Sequence, residues 1–416
     1  MTPTRLESTS VECLCPTALT EVTASRRGRR PFADEIIALL DALSQDLMAD
    51  AEARANPDVI TFAFFCRRRN LERLKAMWGN DIADRLGRGV TFHIAPSNVP
   101  INFAYSLVCG LLAGNVCIVR APSKPFDQTA IVSRVLGRVL ATEAFAPLAS
   151  DIAIVRYQRD DDITAMFSAL CDVRVIWGGD ETITDIRKIP IPPHAFDVTF
   201  ADRHSFCVIR AAAYLEIADP ARTAQDFYND TYLFDQNGCS SPRLMVWVGT
   251  AGAIDAAKQR FWSALHAYVR QRYTLQPIIA VDKLTVLCRC AIERPDAEHV
   301  EMPDLLIDRI HVRDLDLDLD RYRCAGGSFL EYDSVDTDGA ARSIDEQLSA
   351  LAGAVTRKCQ TLAYLGFDPA ELRAWVLANR LTGIDRIVQV GRTAEFGLIW
   401  DGYDLIRSLS RVCAIG

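Results

Sequence analysis

A thiol in a polar turn directly ahead of an apolar run is the first place in this chain where chemistry could be done. Phe234-Asp-Gln-Asn-Gly-Cys239-Ser-Ser-Pro-Arg243 leads straight into the apolar residues 244–248, and Gly238 frees the backbone beside the sulfur. Such a loop at a sheet edge can present Cys239 as a nucleophile with backbone N–H groups close by. The competing reading is strong: the chain has 13 cysteines, and an arbitrary cysteine is about ten times more often a small buried hydrophobe than a nucleophile.

Three further stretches sit where an apolar run ends. Ile94-Ala-Pro-Ser-Asn98-Val-Pro100 offers the Asn98 amide, which could reach an oxyanion or merely satisfy the turn and cap the next helix. Val119-Arg120-Ala-Pro-Ser123-Lys124 groups two cations and a hydroxyl, a set that suits a phosphate. Ile176-Trp-Gly178-Gly179-Asp-Glu181 places paired glycines where a diphosphate could approach the backbone. Neither stretch is a G-x-G-x-x-G fingerprint, so an ordinary dinucleotide-binding assignment fails. The cysteines form no C-x-x-C pair and the six histidines are dispersed, so no metal is expected.

Positioning these residues requires strands that end beside them. Apolar residues recur at helical spacing over 32–55 and 71–82. Short apolar runs at 90–94, 116–119, 152–157, 173–176 and 206–209 read as buried strands, separated by helical stretches at 103–112, 128–143 and 161–170. That alternation implies βαβ units and a parallel sheet covered on both faces, with ligands at the carboxyl ends of the strands. A second α/β region, over roughly 226–381, is expected to hold strands at 244–248 and 284–287 and a helix at 254–268. Asp314-Leu-Asp-Leu-Asp-Leu-Asp320 alternates strictly and reads as a half-exposed strand with its acidic face in water; an EF-hand glycine and closing glutamate are absent. The expected division is a mobile arm over 1–30, an α/β domain over 31–215, a second carrying Cys239 over 216–385, and a closing segment over 386–416.

Composition narrows the classes. The 416 residues are 50% hydrophobic and 24% charged, with 22 glycines and 18 prolines, the profile of a globular protein rather than a disordered or collagenous one. A net charge of −8 gives no broad basic surface for nucleic acid or anionic lipid. Residues 89–119 carry no charge and are long enough to span a bilayer, yet Pro96, Pro100, Asn98, Asn102 and Asn115 would strand polar groups in lipid. Strand, loop, helix and strand fit that stretch better. Glu7, Glu12 and Glu21 interrupt the first residues, unlike a secretory signal, so a reduced, cytoplasmic protein is expected.

Taken in chain order, the four motifs resemble the aldehyde dehydrogenase superfamily and, inside it, the LuxC-type acyl-CoA reductases of bacterial bioluminescence, from about residue 62 to 411. The most specific pieces are Asp235-Gln-Asn-Gly-Cys239-Ser-Ser-Pro242, Phe200-Ala-Asp-Arg-His-Ser-Phe206, Lys358-Cys-Gln-Thr-Leu-Ala-Tyr-Leu-Gly366, Asp385-Arg-Ile-Val and Ile399-Trp-Asp-Gly-Tyr-Asp-Leu-Ile406. The resemblance implies an α/β, aldehyde dehydrogenase-like fold: two Rossmann-like α/β domains, cofactor-binding and catalytic, with the active site between them. It makes Cys239 the nucleophile, and makes Asn98 an oxyanion donor alongside the Cys239 backbone N–H. It sets Ser123 at the adenosine ribose, and Gly178 and Gly179 beside the cofactor diphosphate. Lys124 with Arg120 would favour the 2′-phosphate of NADP, so NADPH is the expected cofactor.

Two departures from the superfamily pattern matter. The position of the water-activating glutamate of hydrolytic members is Phe200, which fits an acyl-thioester reductase and not an aldehyde-to-acid dehydrogenase. The Glu-x-Phe-Gly-Pro motif that grips the nicotinamide ribose has no clean counterpart near Gly326-Gly-Ser-Phe329-Leu-Glu331, where Phe329 is the candidate for its phenylalanine. His204 is weighed as a proton-transfer group against a plain structural turn. The expected activity is NADPH-dependent reduction of an acyl thioester to the aldehyde through an acyl-cysteine. The alternatives are a CoA-acylating aldehyde dehydrogenase running oxidatively and a non-catalytic scaffold that kept the fold. Expected partners are an acyl-CoA, or an acyl carrier or acyl-protein synthetase as donor, and further copies of the chain in a homo-oligomer contacting through 386–416.

Overall fold

The computed structural model describes residues 11–15, 27–300, 302–316, 318–336 and 342–415. The chain forms two compact units, Met1–Ala201 with Phe396–Gly416, and Asp202–Glu395.

In the first unit, strands Val90–Ile94, Val116–Arg120, Ile152–Arg156, Val173–Trp177 and Phe196–Phe200 pair in parallel. Their spatial order starts at Ile152–Arg156 and runs through Val116–Arg120, Val90–Ile94 and Val173–Trp177 to Phe196–Phe200. The first four are buried almost throughout and mostly apolar, because both faces are covered. Helices Asp34–Ala49, Asn102–Leu112 and Asp127–Leu140 pack on one face, while Asp161–Ser168 and Asp180–Arg187 pack on the other. The chain builds outward from Val90–Ile94 in one direction and then returns to that strand's other side at Val173–Trp177. The switch point of the sheet therefore lies at the carboxyl ends of these two strands, where Asn98 and Gly178 follow. The charge-free stretch 89–119 is indeed strand, loop, helix and strand. No helix among the described residues is long and apolar enough to cross a membrane.

The second unit repeats the winding. His204–Arg210 is central; Pro242–Gly249, Ser328–Val335 and Asp308–His311 extend to one side, and Cys359–Leu365 and Arg386–Gln389 to the other, all parallel. Glu298–Val300 closes one edge antiparallel. Two apolar cores flank the sheet, one against helices Pro220–Thr231 and Ala251–Val269, the other against Pro277–Glu293 and Pro369–Ala378.

Several expectations need correcting. The first division falls after Ala201, not after residue 215, because His204–Arg210 is the central strand of the second sheet. Residues 284–287 are not a strand but part of helix Pro277–Glu293: burial recurs at Ile279, Lys283, Val286 and Cys290, a helical period, while Leu284 is exposed. Among the described residues of 314–320 no strand is formed; Asp314 and Asp316 are exposed, and the regular structure described there is the 3-10 turn Leu319–Tyr322. Of the expected arm, residues 1–10 and 16–26 lie outside the described residues, whereas 11–15 and 27–30 are built into the first unit. Glu12–Cys13 pairs with the edge strand Ile152–Arg156, and Arg29 pairs with Glu35 at 3.2 Å and with buried Asp151. The closing segment divides: Arg386–Gln389 joins the second sheet, and Leu398, Trp400, Leu405, Ile406 and Leu409 are buried in the first unit's core.

Candidate active site

Cys239 is half-buried in a loop whose shape is held by contacts made far away in the chain. The 3-10 turn Tyr232–Phe234 ends in two residues of left-handed backbone, Asp235 at φ 50° and Gln236 at φ 59°. This conformation costs a non-glycine residue on the order of 1 kcal/mol or more, so partners must hold it. Asp235 accepts a hydrogen bond from the Tyr273 hydroxyl (2.8 Å), and its carbonyl accepts from the Gly326 N–H (2.9 Å).

Gln236 is fully buried and its amide is fully used. Nε2 donates to the carbonyls of Pro242 and Ser328 (2.9 Å each), and Oε1 accepts from the N–H groups of Gly327 and Ser328 (3.0 Å each). Gly327, at φ 84°, closes this junction; a Cβ there would fall 2.1 Å from the Tyr232 hydroxyl and 2.5 Å from the Leu306 carbonyl. The buried Arg243 guanidinium, whose pKa burial lowers to about 9, donates to the carbonyls of Cys324 and Gln236. Replacing Gln236 with leucine strands four buried backbone groups at about 1 kcal/mol or more each. The expected outcome is a loss of roughly 3 kcal/mol or more of stability by denaturant unfolding, together with faster thiol modification across the loop; a change under about 1 kcal/mol would sink this account.

Cys239 itself has two anchors. Its carbonyl accepts from the Ser205 hydroxyl (2.7 Å), which in turn accepts from the Thr361 N–H (3.1 Å). Its Sγ accepts from Gln360 Nε2 at 3.2 Å. Ser205 and Gln360 lie at the starts of strands His204–Arg210 and Cys359–Leu365, and Cys239 lies three residues before the start of Pro242–Gly249. The thiol therefore sits at the amino-terminal edge of its sheet, opposite to where the carboxyl-end rule would look. Ser205, Gln236 and Gln360 lie inside the motifs that carry the resemblance, but nothing in their local pattern marks a role, since their partners are set by strand order.

The neighbouring candidates resolve differently. Strand alternation turns His204 and Cys359 away from Ser205 and Gln360: His204 Nε2 meets Cys359 Sγ at 3.3 Å and Nδ1 meets Asp320 at 3.2 Å. Burial pushes the Cys359 thiol up and the His204 imidazole down, which makes this a neutral structural pair. Phe329 is 2% exposed and packs on Trp262 and Phe227 in the core, and Glu331 is wholly buried against Trp247, Trp262 and Arg309. Neither is placed to grip a ribose.

The other site residues belong to the first unit. Asn98 is exposed in the loop after Val90–Ile94 and does not cap the following helix, whose N-cap is Ile101. At the end of Val116–Arg120, the Ser123 hydroxyl donates to the Tyr157 carbonyl (3.0 Å). Arg120 lies over the Tyr157 ring (4.4 Å to its centroid) with its buried Nε unpartnered, and Lys124 is exposed. Gly178 follows Val173–Trp177, and Gly179 is the N-cap of Asp180–Arg187. Asp180 and Glu181 fill that helix's first turn and oppose an anion there, leaving the glycine backbone as the approach. Phe200 is buried and stacks on Trp177 with ring centroids 3.7 Å apart, so an aromatic pair fills the position where the resemblance looks for a carboxylate. No group of three or more His, Cys, Asp or Glu among the described residues is placed to hold a metal ion.

Two doubly wound sheets, with a stapled cysteine loop entering the second, define an aldehyde dehydrogenase-like fold. Solved structures agree. An NAD-dependent benzaldehyde dehydrogenase from Corynebacterium glutamicum matches with a TM-score of 0.57 at 13% identity, over 94% of this chain and 86% of its own. An NAD-dependent aldehyde dehydrogenase from Sinorhizobium meliloti matches with a TM-score of 0.59 at 12% identity, over 85% and 74%. The family description "Acyl-CoA reductase (LuxC)" matches residues 65–289, more than half of the chain, and the chain belongs to that family. Long-chain acyl-protein thioester reductases of Aliivibrio fischeri and Vibrio harveyi are 28% and 29% identical over 165 residues, 39% of this chain. These matches span 32% of the length of those curated relatives.

Proposed function

We propose that this protein reduces an acyl thioester to the aldehyde, with Cys239 as the covalent acyl acceptor. The observation that carries the reading is the Cys239 loop itself: a half-buried sulfur receiving an N–H hydrogen bond from Gln360, in a turn stapled by Gln236. The Cys239 thiolate attacks the thioester carbonyl, and the donor thiol leaves as the acyl-cysteine forms. The Cys239 N–H meets the tetrahedral oxyanion; an oxyanion-donor role for the Asn98 amide is what the resemblance implies. With Phe200 at the glutamate position, the acyl-cysteine lacks that general base for hydrolysis and persists. Addition of a hydride to the acyl carbonyl gives the thiohemiacetal on Cys239, and its collapse releases the aldehyde and returns the thiolate.

A nicotinamide cofactor fits the first unit. The sheet's switch point, the Gly178-Gly179 turn and the Ser123 hydroxyl are the parts such a ligand uses, and the unpartnered Arg120 Nε and exposed Lys124 suit a phosphate. When bound, the cofactor supplies the hydride. Lys124, exposed where Arg120 is stacked on Tyr157, is the cation we assign to the 2′-phosphate of NADPH. Lys124→Glu is then expected to lower kcat/KM for NADPH by about 10–100-fold, the worth of a charge-assisted hydrogen bond. Activity with NADH should change far less; equal losses with both would remove the assignment.

The reading is tested by single turnover. The protein is mixed with a panel of acyl-CoA thioesters, acyl-protein is mapped by peptide mass, and NADPH absorbance and aldehyde release are then followed. Acylation at Cys239 discharged as aldehyde is the expected result. Acylation elsewhere, or hydrolysis to acid without NADPH consumption, overturns it. An acyl-protein synthetase donor is part of the proposal, and acylation by such a donor with none by CoA would name that source.

A further inference from the structure

The strand Cys359–Leu365 starts beside the nucleophile, and its second residue is fully buried. Gln360 Nε2 lies 3.2 Å from Cys239 Sγ, and its Oε1 accepts from the Thr361 hydroxyl at 3.2 Å, an arrangement in which the N–H end of the amide faces the sulfur. The backbone around it is clamped: the Gln360 carbonyl accepts from the Asp385 N–H (2.8 Å), Asp385 pairs with Arg203 (2.5 Å), and Arg203 donates to the Cys359 carbonyl (2.6 Å). An N–H donor on sulfur favours the thiolate over the thiol, since only the charged form gains a charge-assisted hydrogen bond.

We propose that Gln360 is a catalytic residue of the Cys239 site, whose side-chain amide holds the sulfur as the attacking thiolate. The choice of an amide has a consequence for the acyl-enzyme. A carboxamide donates a hydrogen bond but has no basic site for a proton near neutrality, so Gln360 supports attack on the thioester without activating water against the product. Histidine in this place would do both. The chain does hold an imidazole one residue from Ser205, but His204 is turned to Cys359 and Asp320. The inference rests on the reading of Cys239 as nucleophile, and it names what in the second unit makes that sulfur reactive.

The test follows alkylation of Cys239 by iodoacetamide across the neutral to alkaline range, resolved by peptide mass from the twelve other cysteines, in the native protein, Gln360→Met and Gln360→Glu. Loss of one charge-assisted donor is expected to raise the midpoint in Gln360→Met by about one to two pH units, with labelling at neutral pH slowed about ten-fold or more. The limiting rate at high pH should be kept. Gln360→Glu sets a carboxylate against the thiolate and should raise the midpoint at least as far; as an isostere it carries the test if the methionine variant does not fold. An unchanged midpoint in the folded variant, or a lower limiting rate with no shift, overturns the inference and leaves Gln360 a packing residue. Labelling of the native protein by an acyl-CoA or by an acyl-protein synthetase donor separates the two ideas. A midpoint shift without acylation keeps Gln360 and sinks the thioester reading, whereas acylation without a shift does the reverse.

Discussion

Cys239→Ala is expected to abolish acyl-protein formation and to lower NADPH-dependent aldehyde production by about 10⁴-fold or more, the scale on which removal of a covalent nucleophile acts. The size follows from what remains. Without the sulfur, the loop still holds its turn through Gln236 and its Ser205 contact to the backbone of residue 239, so binding and folding should survive while no covalent intermediate can form. Thermal unfolding close to the native protein, with acylation lost, is therefore the paired expectation. Three other cysteines are exposed: Cys13, Cys288 and Cys413. If Cys239→Ala still carries acyl groups that NADPH discharges as aldehyde, the nucleophile lies elsewhere and the mechanism fails.

Glu331→Ala should produce the largest loss of stability. The carboxylate is wholly buried and takes four donors: Trp247 Nε1 (2.9 Å), Trp262 Nε1 (2.8 Å), and Arg309 through Nε (2.8 Å) and Nη2 (2.6 Å). Removing one partner of a buried ion pair costs about 3–5 kcal/mol, because the other charge stays desolvated and unpaired. Two indole N–H groups lose their acceptor as well. For a unit of this size the loss corresponds to a fall in melting temperature of roughly 10 °C. Glu331→Gln, which keeps the shape and an acceptor oxygen, should lose less. A melting temperature within about 2 °C of native for Glu331→Ala would show that the network relaxes around the gap. The effect reaches the thiol indirectly: Ser328 begins the same strand and takes part in the Gln236 staple.

Glu331 also shows where local pattern stops informing. In sequence it stands in the stretch searched for a ribose-gripping glutamate and phenylalanine, and both side chains turn out to be core. What places them there is the parallel pairing of Ser328–Val335 with Pro242–Gly249, which brings Trp247 beside Glu331 across 84 residues of chain. The apolar run 284–287 misled for a related reason: four residues are too few to separate a period of two from one of 3.6. The exposed Leu284 and buried Lys283 reverse what hydrophobicity alone implies.

The sequence by itself determined the parallel α/β architecture, because strands covered on both faces must be apolar runs and the helices between them must carry apolar stripes. It also determined the candidate residues: Cys239 by its glycine-preceded turn, Asn98, Arg120, Ser123, Lys124, Gly178 and Gly179 by their place after a strand. Only the tertiary structure decided which edge of the second sheet carries the thiol, that Gln236 bridges to residues 327 and 328, and that Gln360 reaches Cys239 over 121 positions. It likewise decided that Arg120 stacks on Tyr157 while Lys124 is left exposed. The physical reason is range: periodicity reports which face of an element is buried, whereas strand order and register decide which distant side chain meets it there.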